Sequence, residues 1–190
     1  MSPNLLRDCT PTCPRQALVG DITYLPLQNG QWAYLATWQD HFSRRVVGWQ
    51  VAATMTAELV TGALNKVLVR ERPSPGLIVH SDRGGQYVAA EFRQMLDRHG
   101  FEQSMSRAGE TYDNAQAESL FSRYKAELLE GGSFADLEQA RSVTFSYLEG
   151  YYNRVRRHSA LGYQSPEEFE RAYYQRTQAT EALTSTKERT

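Results

Sequence analysis

Cysteine is scarce in this chain of 190 residues: Cys9 and Cys13 are the only two, spaced C-x3-C near the N-terminus. Two thiols make no disulfide framework, and a zinc site usually needs four ligands that nothing nearby completes, so both read as ordinary thiols. Long apolar runs are also missing. None approaches the ~20 residues of a membrane span, and the opening MSPNLLRDCTP has neither the basic nor the apolar region of a secretory signal. The expectation is a cytoplasmic chain with no membrane partner. Nor is there an excess of charge. Lys and Arg number 21 against 22 Asp and Glu, a net charge of −1, and the pI is near 6.4. That excludes DNA binding by bulk electrostatics and confines any nucleic-acid role to local patches and to metal. No repeat and no low-complexity tract is present.

What is present is ordinary for a folded domain: 41% hydrophobic residues and a mean hydropathy of −0.58. The length suffices for one core with appended helices. After an irregular lead-in (1–16), ALVGDITYLPL and QWAYLATWQ flank Asn29-Gly30, the strongest short-range hairpin signal. A turn around Asp40–Ser43 leads to RRVVGWQVA. The pattern predicts three antiparallel strands, near 18–26, 31–39 and 44–52. Trp32, Trp38, Trp49 and Tyr34 alternate along them as packing residues.

The period then changes. Leu59, Val60, Ala63, Leu64, Val67 and Leu68 recur at helical spacing behind Thr56 as N-cap, and Pro73–Gly76 ends that helix. A fourth strand (77–81) follows, then a helix closed by Gly100, and a short strand near 101–105. A helix over 114–129, capped by Asp113 or Asn114, buries Ala117, Phe121, Tyr124 and Leu128. Asn114, Glu118, Ser122 and Lys125 share its polar face. Ser133 opens a further helix reaching about Tyr152. The basic NRVRRH leads to a short last helix at Ser165-Pro166, and 177–190 has no period. Antiparallel strands followed by strand–helix units describe an α/β mixed sheet with flanking helices.

Three acids stand out. Asp21 lies between strand-forming residues, where Asp is depleted. Asp82 lies in HSDRGGQY, at the carboxyl end of the fourth strand, where ligands bind in open α/β sheets. Gly84 and Gly85 follow it and permit either a close backbone approach or a positive φ. Glu118 lies on a helix facing the same sheet. Each has a bland reading: a solvent-facing strand Asp, a turn residue, a solvated helix Glu. Together they form a set of hard oxygen donors suited to Mg²⁺ or Mn²⁺. Two such ions can clamp the attacking and leaving oxygens of an in-line phosphoryl displacement. Asp40 reads as a turn residue, and His80 as a hydrogen-bonded core histidine.

GDITYLP with QWAYLATWQDHFSRRVVGW, then HSDRGGQY, YDNAQAESLFSRYKAEL and YYNRVRRHSALGYQSPEEF resemble the catalytic core of bacterial insertion-sequence transposases of the D,D(35)E type. The likeness runs from about Ala17 to Phe169. Between Asp82 and Glu118 lie the 35 residues of that group's name. The resemblance implies an RNase H-like, retroviral integrase-like fold with a five-stranded mixed sheet, three antiparallel strands first and two parallel ones after. It implies Asp21, Asp82 and Glu118 as catalytic, metal-binding triad for Mg²⁺ or Mn²⁺, two ions in all. Asn114 falls one turn before Glu118, and Lys125 matches a lysine that meets DNA phosphate. Tyr152, Asn153, Arg156 and His158 match a YN-x2-R-x-H signature. Leu18 stands where relatives usually have Trp, a packing change.

The further DNA-contact candidates are Arg123, Arg154, Arg156, Arg157 and His158. A solvated loop paired with nearby Glu residues is the alternative for that arginine cluster. Boundaries follow: lead-in 1–16, catalytic core 17–152, basic segment and short helix 153–176, disordered tail 177–190. The resemblance further implies DNA as partner (element ends and target) and a homo-oligomeric active complex. The helix-turn-helix module that recognises element ends would be supplied elsewhere. A plain RNase H-like nuclease, or a non-catalytic scaffolding or oligomerisation remnant, are the competing readings.

Overall fold

The computed structural model describes residues 2–7, 10–106 and 115–187. Three antiparallel strands come first: β1 (Ala17–Pro26), β2 (Trp32–Asp40) and β3 (Val46–Ala52). Helix α1 (Ala57–Glu71) crosses over to β4 (Ile78–Ser81). A one-turn helix α2 (Gly85–Val88) that the sequence pattern does not disclose follows, then α3 (Ala90–His99) and β5 (Glu102–Met105). Helices α4 (Ala115–Leu128), α5 (Leu137–Phe145) and α6 (Pro166–Lys187) complete the chain. The sheet order is β3-β2-β1-β4-β5, with β4 parallel to both β1 and β5. The expected five-stranded mixed sheet is therefore present, and β4 does lie beside β1.

The pleat of β1 and β2 sorts side chains between two cores. On one face Leu18, Ala36 and Trp38 pack under α1 and α3, together with Leu59, Val60, Leu64 and Phe92. Trp38 stacks on Phe92 with ring centroids 5.8 Å apart and donates its indole N–H to the Val60 carbonyl. Gly20 is small for a reason: a Cβ there would meet the Trp38 ring at 2.2 Å. On the other face Leu25, Ala33, Leu35, Val46 and Trp49 lie under α4 and α5. Ala117, Leu120, Phe121 and Tyr124 are the buried stripe of α4, as its period predicts. Asp21 is in phase with Val19, Thr23 and Leu25 along β1, so it points to the α4 face. Trp32 departs from expectation: it is 52% exposed, edge-on to Tyr24 at the end of the β1–β2 hairpin.

Helix boundaries hold several corrections. Gly100 closes α3 in the left-handed region, as expected. The cap of α5 is Asp136, which accepts from the Gln139 N–H, and not Ser133. Residues before it are engaged elsewhere, because Phe134 bridges to the end of β1 (Phe134 N to Pro26 O, 2.9 Å). The helix expected to reach Tyr152 changes to a π-turn over Ser146–Tyr152. At the start of α6, Ser165 Oγ accepts from the Glu168 N–H while Glu168 Oε2 accepts from the Ser165 N–H, a reciprocal capping box. That helix is not short. It runs to Lys187, through residues expected to form a disordered tail, because 177–187 carries no apolar stripe to signal it yet contains no Gly or Pro to stop it. The Asp113/Asn114 cap lies outside the described residues, as does Cys9.

A half-buried ion cluster pins α6 to the sheet. Arg15 reaches Glu71 (2.7 Å), Glu170 (2.6 Å) and Asp40 (3.3 Å), and Arg45 reaches Glu71 (3.3 Å) and Glu170 (3.2 Å). Asp40 also takes the Ser43 N–H, the turn role expected of it. Among the described residues no helix is long and apolar enough to cross a membrane.

Candidate active site and DNA-binding face

The parallel ladder of β1 and β4 pairs Leu18 with Val79 and Val19 with His80. Two residues further along each strand come Asp21 and Asp82, so the register itself brings the acids side by side. Asp21 is partly buried, and its Oδ1 accepts from the Ile22 N–H at 2.8 Å. Asp82 is exposed in the loop after β4, its Oδ1 taking the Gly84 N–H at 2.9 Å. Gly84 meets the close-approach reading, since a Cβ there would stand 3.0 Å from that oxygen. Its φ is −56°, so the positive-φ alternative does not apply. Gly85 opens α2 with free space around it. Glu118 lies exposed in the first turn of α4, above the sheet face to which Asp21 points.

Electrostatics link the three. Burial raises the Asp21 pKa to about 7; the Ile22 N–H opposes this, and the charges of Asp82 and Glu118 add to it. Asp21 is therefore first of all a buried carboxyl, with two further acids within electrostatic reach. Two buried polar atoms border it. Thr37, its partner across β2, has a buried Oγ1 with no hydrogen-bond partner. The Tyr87 hydroxyl is also buried and unpartnered, its pKa raised by burial and then by Asp21 and Asp82. Among the described residues no three carboxylate, His or Cys groups close into a ready-made metal cage. The chemistry nevertheless fits a hard divalent cation, which typically keeps several waters and takes only one or two carboxylates. Neither Thr37 nor Tyr87 stands out in the sequence, because only the tertiary register places them beside Asp21.

His80 is fully buried between Ser104 (2.7 Å) and Ser106 (3.0 Å), a core histidine as expected. The YN-x2-R-x-H residues turn out to be structural in part. The Tyr152 hydroxyl takes the Gln39 amide at 2.8 Å, and Asn153 closes both backbone groups of Val46 at 2.9 Å each. Arg156 pairs with Glu127 (3.1 Å) and Arg154 with Glu167 (3.5 Å), as the alternative of Glu pairing had it for those two. Arg123 and Arg157 make no ion pair among the described residues and line a cleft beside α4 with Arg156 and His158. Lys125 lies half-buried two turns beyond Glu118 on α4. Asn114 is outside the described residues. Arg44, which carries no signal in the sequence, also lines the cleft.

Comparisons with known proteins bear on the family and the fold. The integrase core domain family matches residues 11–111, and a second integrase core domain profile matches residues 99–166. The transposase for insertion sequence element IS904 of Lactococcus lactis is 41% identical over 170 residues, covering 89% of this chain and 67% of the relative. Transposase InsF for insertion sequence IS3A of Escherichia coli is 46% identical over 171 residues, covering 90% and 59%. The chain thus spans about three-fifths to two-thirds of these relatives' length. Among solved structures, the simian T-cell lymphotropic virus intasome, determined with PP2A regulatory subunit B56 gamma, aligns with a TM-score of 0.65 at 17% identity, over 90% of this chain and 59% of that one. The HTLV-2 integrase catalytic core domain in complex with magnesium aligns with a TM-score of 0.57 at 14% identity, over 85% and 99%. These likenesses identify the architecture as RNase H-like. The chain belongs to the integrase core domain family, and the curated relatives it matches are insertion-sequence transposases.

Proposed function

We propose that residues 17–152 are the catalytic core of a cytoplasmic DNA transposase, which cuts at the ends of an insertion element and joins the freed 3′-hydroxyl to target DNA. The observation that supports this is the parallel register of β1 and β4, which sets Asp21 and Asp82 two residues beyond the paired Val19 and His80, with Glu118 in the first turn of α4 and its charge felt at Asp21. In this reading Asp21, Asp82 and Glu118 hold one or two divalent cations, Mg²⁺ or Mn²⁺. When bound, these would activate water or a 3′-hydroxyl and stabilise the departing oxyanion. Asp21 would supply a carboxylate oxygen, and a bound cation would favour its ionised form against the effect of burial. The Gly84 N–H fixes one Asp82 oxygen and leaves the other for a ligand. Arg123, Arg157, His158 and Lys125 contact DNA phosphates; Arg154 and Arg156, already paired, do so only where DNA displaces a glutamate. Asn114 supports Glu118 from one turn earlier.

Element ends and target are the DNA partners, bound by a homo-oligomer together with a helix-turn-helix module supplied elsewhere. The test is an oligonucleotide strand-transfer assay in Mn²⁺ with a pre-cut element end. Branched product supports the transposase; hydrolysis without branching would assign a plain nuclease. Absence of both, with no carboxylate-dependent metal binding by calorimetry, would assign a non-catalytic scaffold.

A further inference from the structure

The cleft beside α4 has a volume of about 490 Å³ and an unbalanced charge. Arg44, Arg123, Arg156 and Arg157 all line it, and only Arg156 has a carboxylate partner among the described residues. Arg44 is the telling one. It sits half-buried with φ 64°, in the turn between β2 and β3, and burial pushes its guanidinium pKa down. Guanidinium does not lose its proton in proteins, and a buried charge without a counter-charge is costly. Polar atoms in the wall are unsatisfied too. Gln39 is 1% exposed, its Nε2 donating to the Arg44 carbonyl and to the Tyr152 hydroxyl while Oε1 has no partner. Nε2 of His158 is buried and unpartnered. Burial and then Arg156, Arg44 and Arg123 lower the His158 pKa to about 4. A neutral imidazole can donate one N–H to an anion at neutral pH.

The position of the cleft says which anion. On α4, at 100° per residue, Gln116, Ser119 and Arg123 border the cleft, whereas Glu118, Ser122 and Lys125 lie on the flank nearer Asp21. Between the two flanks the outer surface carries exposed Ser119, Ser122 and Ala126, side chains short enough for a polynucleotide backbone to lie against the helix. A helix is about 10–12 Å across, and a DNA strand rises about 3.4 Å per nucleotide. A strand leaving the acids therefore reaches the cleft after roughly three to four nucleotides. We propose that Arg44, Arg123 and Arg157, with His158, form a second phosphate site that grips the DNA backbone about three to four nucleotides from the reacting phosphodiester. This rests on the DNA-processing role proposed above and adds Arg44 as a DNA-contact residue.

The test measures binding separately from chemistry. In EDTA, a set of element-end duplexes, each with one neutral methylphosphonate, is titrated against wild type and an Arg44→Gln/Arg157→Gln double variant. The wild type should lose roughly tenfold in affinity for a neutral linkage three or four nucleotides from the cut, about one phosphate contact. The double variant should bind unmodified duplex at least that much more weakly, show a salt slope shallower by about one or two, and be indifferent to that linkage. Arg44→Gly, which suits the positive φ, guards against misfolding and should weaken binding likewise. In NMR spectra, DNA or inorganic phosphate should raise the pKa of the His158 ring in wild type. Unchanged affinity and slope in the folded variants would overturn the second site without bearing on the catalytic reading of Asp21, Asp82 and Glu118. Loss of cleavage and joining with phosphate-position effects intact would instead overturn the catalytic reading.

Discussion

Asp82 lies two residues beyond His80, and Asp21 two residues beyond Val19, the residue facing His80 across the parallel ladder. The acids are thus placed by backbone register, and their side chains can be changed without touching a core contact. Asp82→Asn and Glu118→Gln should each abolish cleavage and joining, a loss of at least a hundredfold, with circular dichroism and melting temperature near wild type. Retained activity in Mg²⁺- or Mn²⁺-replete buffer would remove that residue from the reaction.

Asp21 yields a pH prediction of defined sign. Its folded pKa of about 7 lies above the usual 3.8, so its contribution to stability is complete below about pH 4 and is lost as pH rises through 7. In EDTA, Asp21→Asn should match wild type near pH 4 and exceed it at pH 8 by on the order of 2–4 kcal/mol. Saturating Mg²⁺ should restore much of the wild-type deficit by binding only the folded state. Denaturant titrations across pH check both arms.

Asn153 substitutes for a neighbouring strand by closing both backbone groups of Val46. Asn153→Ala leaves a buried N–H and C=O unpaired and should cost about 2–4 kcal/mol. Asn153→Asp buries a carboxylate against the Val46 carbonyl and should cost at least as much at neutral pH, as urea melts would show.

The Arg15 cluster gives the largest stability effect. Arg15→Ala leaves Glu170, 7% exposed, with Arg45 as its one cation among the described residues beside the Ser43 hydroxyl, and breaking such a pair costs about 3–5 kcal/mol. The melting temperature should fall by roughly 10 °C, with Asp21, Asp82 and Glu118 unaffected in metal titrations at low temperature.

Duplex DNA should bind this chain weakly and be released by salt with a slope proportional to its few phosphate contacts, because the overall charge is −1 and those contacts are confined to a local patch. A binding series from 50 to 200 mM salt measures the slope; tight, sequence-selective binding at the upper value would contradict it.

Much of the fold is legible in the amino-acid order alone. Asn29-Gly30 marks the hairpin, Gly100 the end of α3, and the alternation of β1 puts Asp21 on the face opposite Gly20 and Ile22. Those signals are local, one to seven residues long, and chain chemistry alone sets them. Arg44, Thr37, Tyr87 and the Arg15–Glu170 pair are not legible in that way. Each acquires meaning only from a residue far along the chain, and an arginine destined for a cleft has the same sequence signature as one in solvent. Ser133 misleads for a related reason: it is a good cap by type, yet the pairing of Phe134 with β1 uses that segment first.

Arg15 and Glu170 stand 155 positions apart. During synthesis on the ribosome, Arg15, Arg45, Asp40 and Glu71 all emerge well before Glu170. Until it arrives, the nascent domain holds its arginines against an incomplete set of counter-charges. Closing so long a loop is slow compared with forming the hairpins that precede it. Final locking of the domain by Glu170 is therefore a late step, one that follows the sheet's hairpins.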